Sequence, residues 1–206
     1  MSGYINKLRE GQMIAITRKK FTIDEYHRLG DLGFFKEDDR VELIRGDIIE
    51  MPAKKTPHSV CNTLLVKQLV LLLGNLATVR GKEPIILPSD SEPQPDVAIV
   101  KNKQDNYLSS HPQPEDIVLV IEICDSSLKY DRETKLSLYA GDKISDYWLF
   151  NLIDNQLEMY SEPYQNQQGK MAYRFKRIVL PNEVVQIPCF PDLSLDLATI
   201  FPLSPQ

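Results

Sequence analysis

Five apolar residues in a row, Ile117-Val118-Leu119-Val120-Ile121, run directly into a carboxylate, Glu122, followed by Ile123 and Cys124. Aliphatic side chains at every position, rather than every second one, suit a central strand covered on both faces. Layers on both sides of a sheet point to an α/β chain. Glu122 is then the anomaly, because a carboxylate in such a run is costly to bury unless something pairs with it. Cys124, two positions on, shares its face, since side chains alternate along a strand.

A second acidic residue stands in a comparable place. Asp96 opens Asp96-Val97-Ala98-Ile99-Val100, directly after Pro95. Proline favours extended backbone around it and belongs at the start of a strand. Asp96 is therefore expected at a strand mouth, half buried yet within reach of solvent. Two carboxylates on neighbouring strands can share a divalent cation, and a nearby lysine can offset negative charge on a phosphate. Lys135 is the candidate, on an expected helix over residues 131–140 and four residues before Tyr139, hence on the same face.

Plainer readings stand beside this one. Asp96 can bond backbone amides in a turn. Glu122 can sit in a structural ion pair, with Lys135 itself as partner, and Lys135 can be a solvated helix lysine. Glu42, in a strand-like run before Gly46, is a further candidate carboxylate, against an exposed strand residue opposite a basic partner. His58, between Pro57 and Ser59 near a helix start, is a candidate ligand or base, a merely exposed histidine being the plainer reading.

Around these residues the pattern alternates between helix and strand. Thr22 and Glu25 form a capping-box pattern for a helix to residue 29, stopped by Gly30. A hairpin over 41–51 turns at Arg45-Gly46-Asp47, and a long amphipathic helix covers 58–77. Strands are expected near 83–87, 96–101 and 117–124, then the helix ended by Gly141 and an aromatic strand over 146–151. A hairpin of 156–161 with 172–179 and a short strand near 184–187 precede a proline-rich tail. The expected architecture is α/β, a mixed β-sheet flanked by helices, with residues 21–206 as a single domain behind a loosely attached arm of residues 1–20.

A net charge of −5 and a pI near 5.3 leave no global footprint of a nonspecific nucleic-acid binder. Clustered carboxylates awaiting a metal would depress the pI in the same way. The basic pairs and triples Arg18-Lys19-Lys20 and Lys54-Lys55 read as solvated surface. Three cysteines without CxxC spacing argue against a disulfide framework or structural zinc and fit a reducing cytoplasm. The first 20 residues lack the apolar stretch of a signal peptide. The longest aliphatic runs, Leu69-Val70-Leu71-Leu72-Leu73 and the equally long 117–121, are too short to cross a bilayer, so no membrane is expected.

Taken together, Pro95-Asp96 and Glu122-Ile123-Cys124 resemble the PD-(D/E)xK nuclease signature. The likeness extends through the 41–51 run, Pro57-His58-Ser59, the 122–131 segment, Lys135, Tyr139-Ala140 and Tyr147-Trp148. In that order these segments are similar to the Uma-type family of restriction-endonuclease-like proteins, over roughly residues 20–200. The resemblance implies a restriction-endonuclease-like core, a homodimer, and Mg²⁺- or Mn²⁺-dependent cleavage of DNA. By position it implies Asp96 and Glu122 as metal carboxylates and Glu42 as an auxiliary one. The carbonyl of Ile123, next to Glu122, is a candidate third ligand. The chain departs from the pattern at Cys124, where the lysine of the ExK triplet is expected, and the resemblance places the substitute at Lys135.

Cutting both strands of a duplex is simplest with two centres, so a homodimer is expected through the aromatic C-terminal half, with Trp148, Tyr160 and Tyr173 at the interface. Two other functions fit the same residues. One is a noncatalytic nucleic-acid-binding or assembly module of the same fold, favoured by the low pI and the missing ExK lysine. The other is a metal-dependent hydrolase of a small phosphorylated molecule, which an enclosed pocket in place of a groove would favour.

Overall fold

The computed structural model describes residues 17–36 and 38–202, and most of the expected N-terminal arm, residues 1–16, lies outside them. In chain order the elements are α1 (Ile23–Asp31), β1 (Val41–Ile44), β2 (Asp47–Glu50), α2 (Thr56–Leu73), β3 (Thr78–Gly81), β4 (Val97–Val100) and β5 (Ile117–Cys124). There follow α3 (Leu128–Tyr130), a π-helical turn (Asp131–Lys135), α4 (Leu136–Gly141), β6 (Asp146–Asn151), β7 (Gln156–Gln165), β8 (Met171–Val179), β9 (Val184–Ile187) and β10 (Phe190–Asp196). A six-stranded sheet has the order β3-β4-β5-β6-β7-β8. Its β5 and β6 run parallel and its other neighbours antiparallel. A parallel pair needs a long crossover, and the α3–π–α4 segment supplies it. β1 with β2 and β9 with β10 form separate hairpins.

The apolar run is the central strand it promised to be, with all of β5 buried. Its odd residues Leu119, Ile121 and Ile123 join Cys61, Leu65, Leu69 and Leu73 of α2 in one core. Its even residues Val120 and Cys124 join Leu138, Tyr139 and Ala140 of α4 in another. Each fully buried aliphatic side chain contributes about 1.5–3 kcal/mol, so both faces resist opening. The aromatic residues expected at a dimer surface are spent here. Trp148 lies in the first core, while Tyr160 and Tyr173 stack near Tyr147 in the second, with ring centroids 5.7 and 6.4 Å away. Their aromaticity reflects a sheet covered on both sides rather than an exposed interface.

Local chemistry explains where other boundaries move. The capping box at Thr22 and Glu25 forms, but α1 continues through Gly30. The stop is Gly33, whose φ of +72° lets its N–H reach the Gly30 carbonyl (2.8 Å) and the Phe34 N–H reach that of Leu29 (3.0 Å). The strand expected near 83–87 is replaced by β3, just upstream. Pro84 has no N–H to offer a ladder, and the N–H groups of Ile85 and Leu87 bond the Pro93 and Ser91 carbonyls at 3.1 and 2.9 Å. β10 occupies part of what reads as a proline-rich tail. Lys19 and Lys20 stay exposed, paired with Glu25 and Asp47. Among the described residues no helix is long and apolar enough to cross a membrane.

Candidate active site

The antiparallel pair β4–β5 ends with Val97 opposite Ile121. Asp96 and Glu122 are the next residue on each strand, so the two carboxylates continue the ladder past its last rung. Asp96 donates its N–H to Glu122 Oε2 at 3.3 Å, and Ile123 donates its N–H to Asp96 Oδ2 at 2.9 Å. Alternation places Asp96 with Ala98 and Val100, and Glu122 with Val120 and Cys124, and all four neighbours belong to one core. The acids therefore share a face. Only 4% of Asp96 and 5% of Glu122 is exposed, and both line a cavity of about 110 Å³.

Lys135 reaches the same space from the crossover. The π turn carries one residue more than an α turn, and such widened turns favour functional sites. It buries both of its ends, Asp131 and Lys135. The Lys135 ammonium lies 3.0 Å from Glu122 Oε1 and 2.8 Å from Glu42 Oε2. Tyr139, one turn on, donates its hydroxyl to Glu122 Oε1 at 2.7 Å. Glu42 arrives from β1, its Oε1 accepting the Gln94 N–H at 3.1 Å, while Oε2 has the lysine beside it but no aligned hydrogen bond. Glu42 is buried, against the exposed strand position considered for it.

His58 is also buried rather than exposed. It sits in the first turn of α2, with Nε2 2.9 Å from Asp96 Oδ2 and Nδ1 without a hydrogen-bond partner. Lys54, in the loop 51–55, places its ammonium on Asp96 Oδ1. The sequence reading assigned Lys54-Lys55 to solvated surface; Lys55 is exposed, and Lys54 turns inward. Asp131 is a further buried acid that the pattern did not single out, accepting a hydrogen bond from the Ser127 hydroxyl.

The charges divide accordingly. Burial would raise the Asp96 carboxyl, but the His58 hydrogen bond and the Lys54 charge hold it down at about 2. Burial pushes Glu122 up, seconded by Asp96 and Glu42 and opposed by Lys135 and Tyr139. Burial would lower Lys135, yet Glu122 and Glu42 outweigh it and keep the ammonium firmly protonated. Asp131 is pushed up to about 7 by burial and by the charge of Glu122. Cys124 lies on the same side as Glu122, where burial raises its thiol, so it carries no charge that could replace a lysine. Arg40, Lys82, Asp125, Ser126 and Ser127 also line the cavity. Among the described residues no group of three or more His, Cys, Asp or Glu side chains is arranged to hold a metal.

A mixed sheet with helices on its faces and this arrangement of strands is the restriction-endonuclease-like α/β fold, as the motifs implied. The chain belongs to the Uma2 family, whose model, described as "Putative restriction endonuclease", matches residues 23–198. It is similar to a crystal structure described as a putative nuclease belonging to DUF820 from Anabaena variabilis ATCC 29413. The two share 18% identity at a TM-score of 0.66, over 88% of this chain and 97% of that one, a likeness of fold. No curated protein matches the chain.

Proposed function

We propose that this chain is a metal-dependent endonuclease that hydrolyses phosphodiester bonds in DNA, acting in the cytoplasm as a homodimer. One observation carries the reading: Asp96 and Glu122, buried on adjacent strand ends, meet on one sheet face in a cavity that Lys135 also lines. The donor chemistry fits Mg²⁺ or Mn²⁺, which take hard oxygen ligands and keep several waters. Asp96, Glu122 and the carbonyl of Ile123 would hold the ion. The Ile123 N–H points at Asp96, and a strand residue's carbonyl points to the same flank as its N–H. Glu42 Oε2 adds a buried acceptor without a hydrogen bond. When bound, the ion supplies Lewis acidity to the phosphate and a more acidic water.

The chain's own groups do the rest. His58 and the Ile123 N–H orient the Asp96 carboxylate, and Tyr139 fixes Glu122. Lys135 sets a positive charge where negative charge grows on the phosphate, a fixed dipole that needs no rearrangement during reaction. The test is nicking of supercoiled plasmid with Mg²⁺ or Mn²⁺. Asp96→Asn and Glu122→Gln should each lower the rate by about 100-fold or more, and nicking that survives both changes overturns the reading. The noncatalytic module of the same fold draws on the self-satisfied ion-pair network, in which each oxygen of Asp96 and Glu122 already has a protein donor. Wild-type protein inert toward single- and double-stranded DNA with either metal would favour it.

A further inference from the structure

Two ammonium groups reach the floor of the cavity, and they are held in different ways. Lys135 is 1% exposed, lies between two carboxylates and belongs to the crossover helix. Lys54 comes from the loop 51–55, its side chain is 21% exposed, and its ammonium meets one oxygen of one carboxylate, Asp96 Oδ1. Of the two, Lys54 is the one whose departure unpairs a single carboxylate, Asp96, which keeps its hydrogen bonds to His58 and the Ile123 N–H.

Charge balance gives it a reason to leave. Glu42, Asp96 and Glu122 are three carboxylates paired with two ammonium groups and, at Asp96, with His58, so carboxylates outnumber the permanent cations by one. A divalent cation beside Asp96 and Glu122, together with Lys135, neutralises all three carboxylates. Lys54 is then surplus, and two cations sharing one carboxylate oxygen repel strongly in a site this dry. Asp125 also lines the cavity, but among the ion pairs of the described residues Lys54 meets Asp96 and no second carboxylate. A phosphodiester carries one negative charge, which is the charge Lys54 needs.

We infer that Lys54 is an exchangeable counter-ion: it holds the place of the metal on Asp96 and moves to a substrate phosphate when the metal arrives. This rests on the metal-dependent reading above and adds a coupling to it. The metal frees Lys54 to grip the phosphate, and by linkage a phosphate that captures Lys54 opens Asp96 to the metal. Lys54 is a substrate-binding residue in this scheme. It makes metal and nucleic acid bind together better than either binds alone.

The experiment is titration of Mn²⁺ into the full chain, followed by the loss of the free-ion electron-spin signal, with and without a nuclease-resistant phosphorothioate DNA duplex. In the absence of duplex, Lys54→Met should bind Mn²⁺ about 5- to 10-fold more tightly than wild type, at the low end of usual coupling strengths. Duplex should tighten Mn²⁺ binding about fivefold or more for wild type and for Lys54→Arg, which keeps the charge, and less than about twofold for Lys54→Met. Equal or weaker Mn²⁺ affinity in Lys54→Met, or duplex coupling that survives in it, overturns the exchange while leaving a metal site in place. Mn²⁺ that fails to bind wild type, or binds Asp96→Asn equally well, overturns the metal reading and the exchange with it.

Discussion

Replacing Lys135 by Met keeps the apolar stem and removes the charge, so it isolates what the ammonium does for the fold. Glu42 and Glu122 would then face each other, both about 95% buried, with no cation between them. Breaking a buried ion pair costs about 3–5 kcal/mol because the abandoned charges stay desolvated. The variant can limit that loss by protonating one acid. At pH 7, putting a proton on a carboxyl whose unfolded pKa is about 4.3 costs roughly 3.7 kcal/mol, and at pH 5 only about 1 kcal/mol. The sign follows. Without the lysine, Glu122 is raised still further above its unfolded value, so the variant regains stability relative to wild type as pH falls toward that value. Urea unfolding followed by fluorescence of Trp148, the single and fully buried tryptophan, should show a midpoint lowered by about 1–2 M at pH 7, given a slope of about 2–3 kcal/mol per M. At pH 5 most of that gap should close. A midpoint within about 0.3 M of wild type at pH 7, or a loss of equal size at both pH values, would refute the counter-charge role.

Two other perturbations separate the site from the scaffold. His58→Leu keeps bulk but frees Asp96 Oδ2 from its imidazole partner, and should weaken Mn²⁺ binding about 10- to 100-fold, as loss of a supporting hydrogen bond does at other metal sites; unchanged affinity in the same titration would show that Asp96 does not need the ring. Glu158, fully buried on β7, accepts from Arg132, Tyr160, Asn151 and Gln156 and pairs with Lys176. These partners outweigh burial and hold its carboxyl below the usual range, so its contribution is complete above the unfolded pKa and fades as pH falls through the folded one. Glu158→Gln should therefore cost about 3 kcal/mol at pH 7 and flatten the decline of urea stability between about pH 4.5 and 2, and a decline as steep as wild type's would count against it.

The parts of this molecule that can be read from its sequence are those where a residue breaks a local pattern. Glu122 interrupts a β-branched run and Asp96 starts one, so both stand out before any fold is known, and the Lys135–Tyr139 spacing predicts that both side chains reach one face. The ion pair between Lys135 and Glu122 considered as the plainer reading is present as well, so the sequence could not choose between pairing and chemistry. Lys54 and Asp131 lie in polar segments where a charge violates nothing, and their partners are brought to them by tertiary packing. The aromatic strands mislead in the opposite sense. Trp148, Tyr160 and Tyr173 resemble interface side chains, but β-propensity and interface propensity favour the same residue types, and here the sheet's two faces absorb them all.

The hydrogen bonds that build the cavity floor span 13, 17, 26, 27, 38, 42 and 52 residues of chain. None joins sequence neighbours, and the ammonium between Glu42 and Glu122 belongs to a residue made after both of them. Until residue 135 is in place, Glu42 and Glu122 lack the ammonium that lies between them, while Asp96 already has Lys54 and His58 upstream of it. The paired-carboxylate geometry therefore belongs to the finished fold alone.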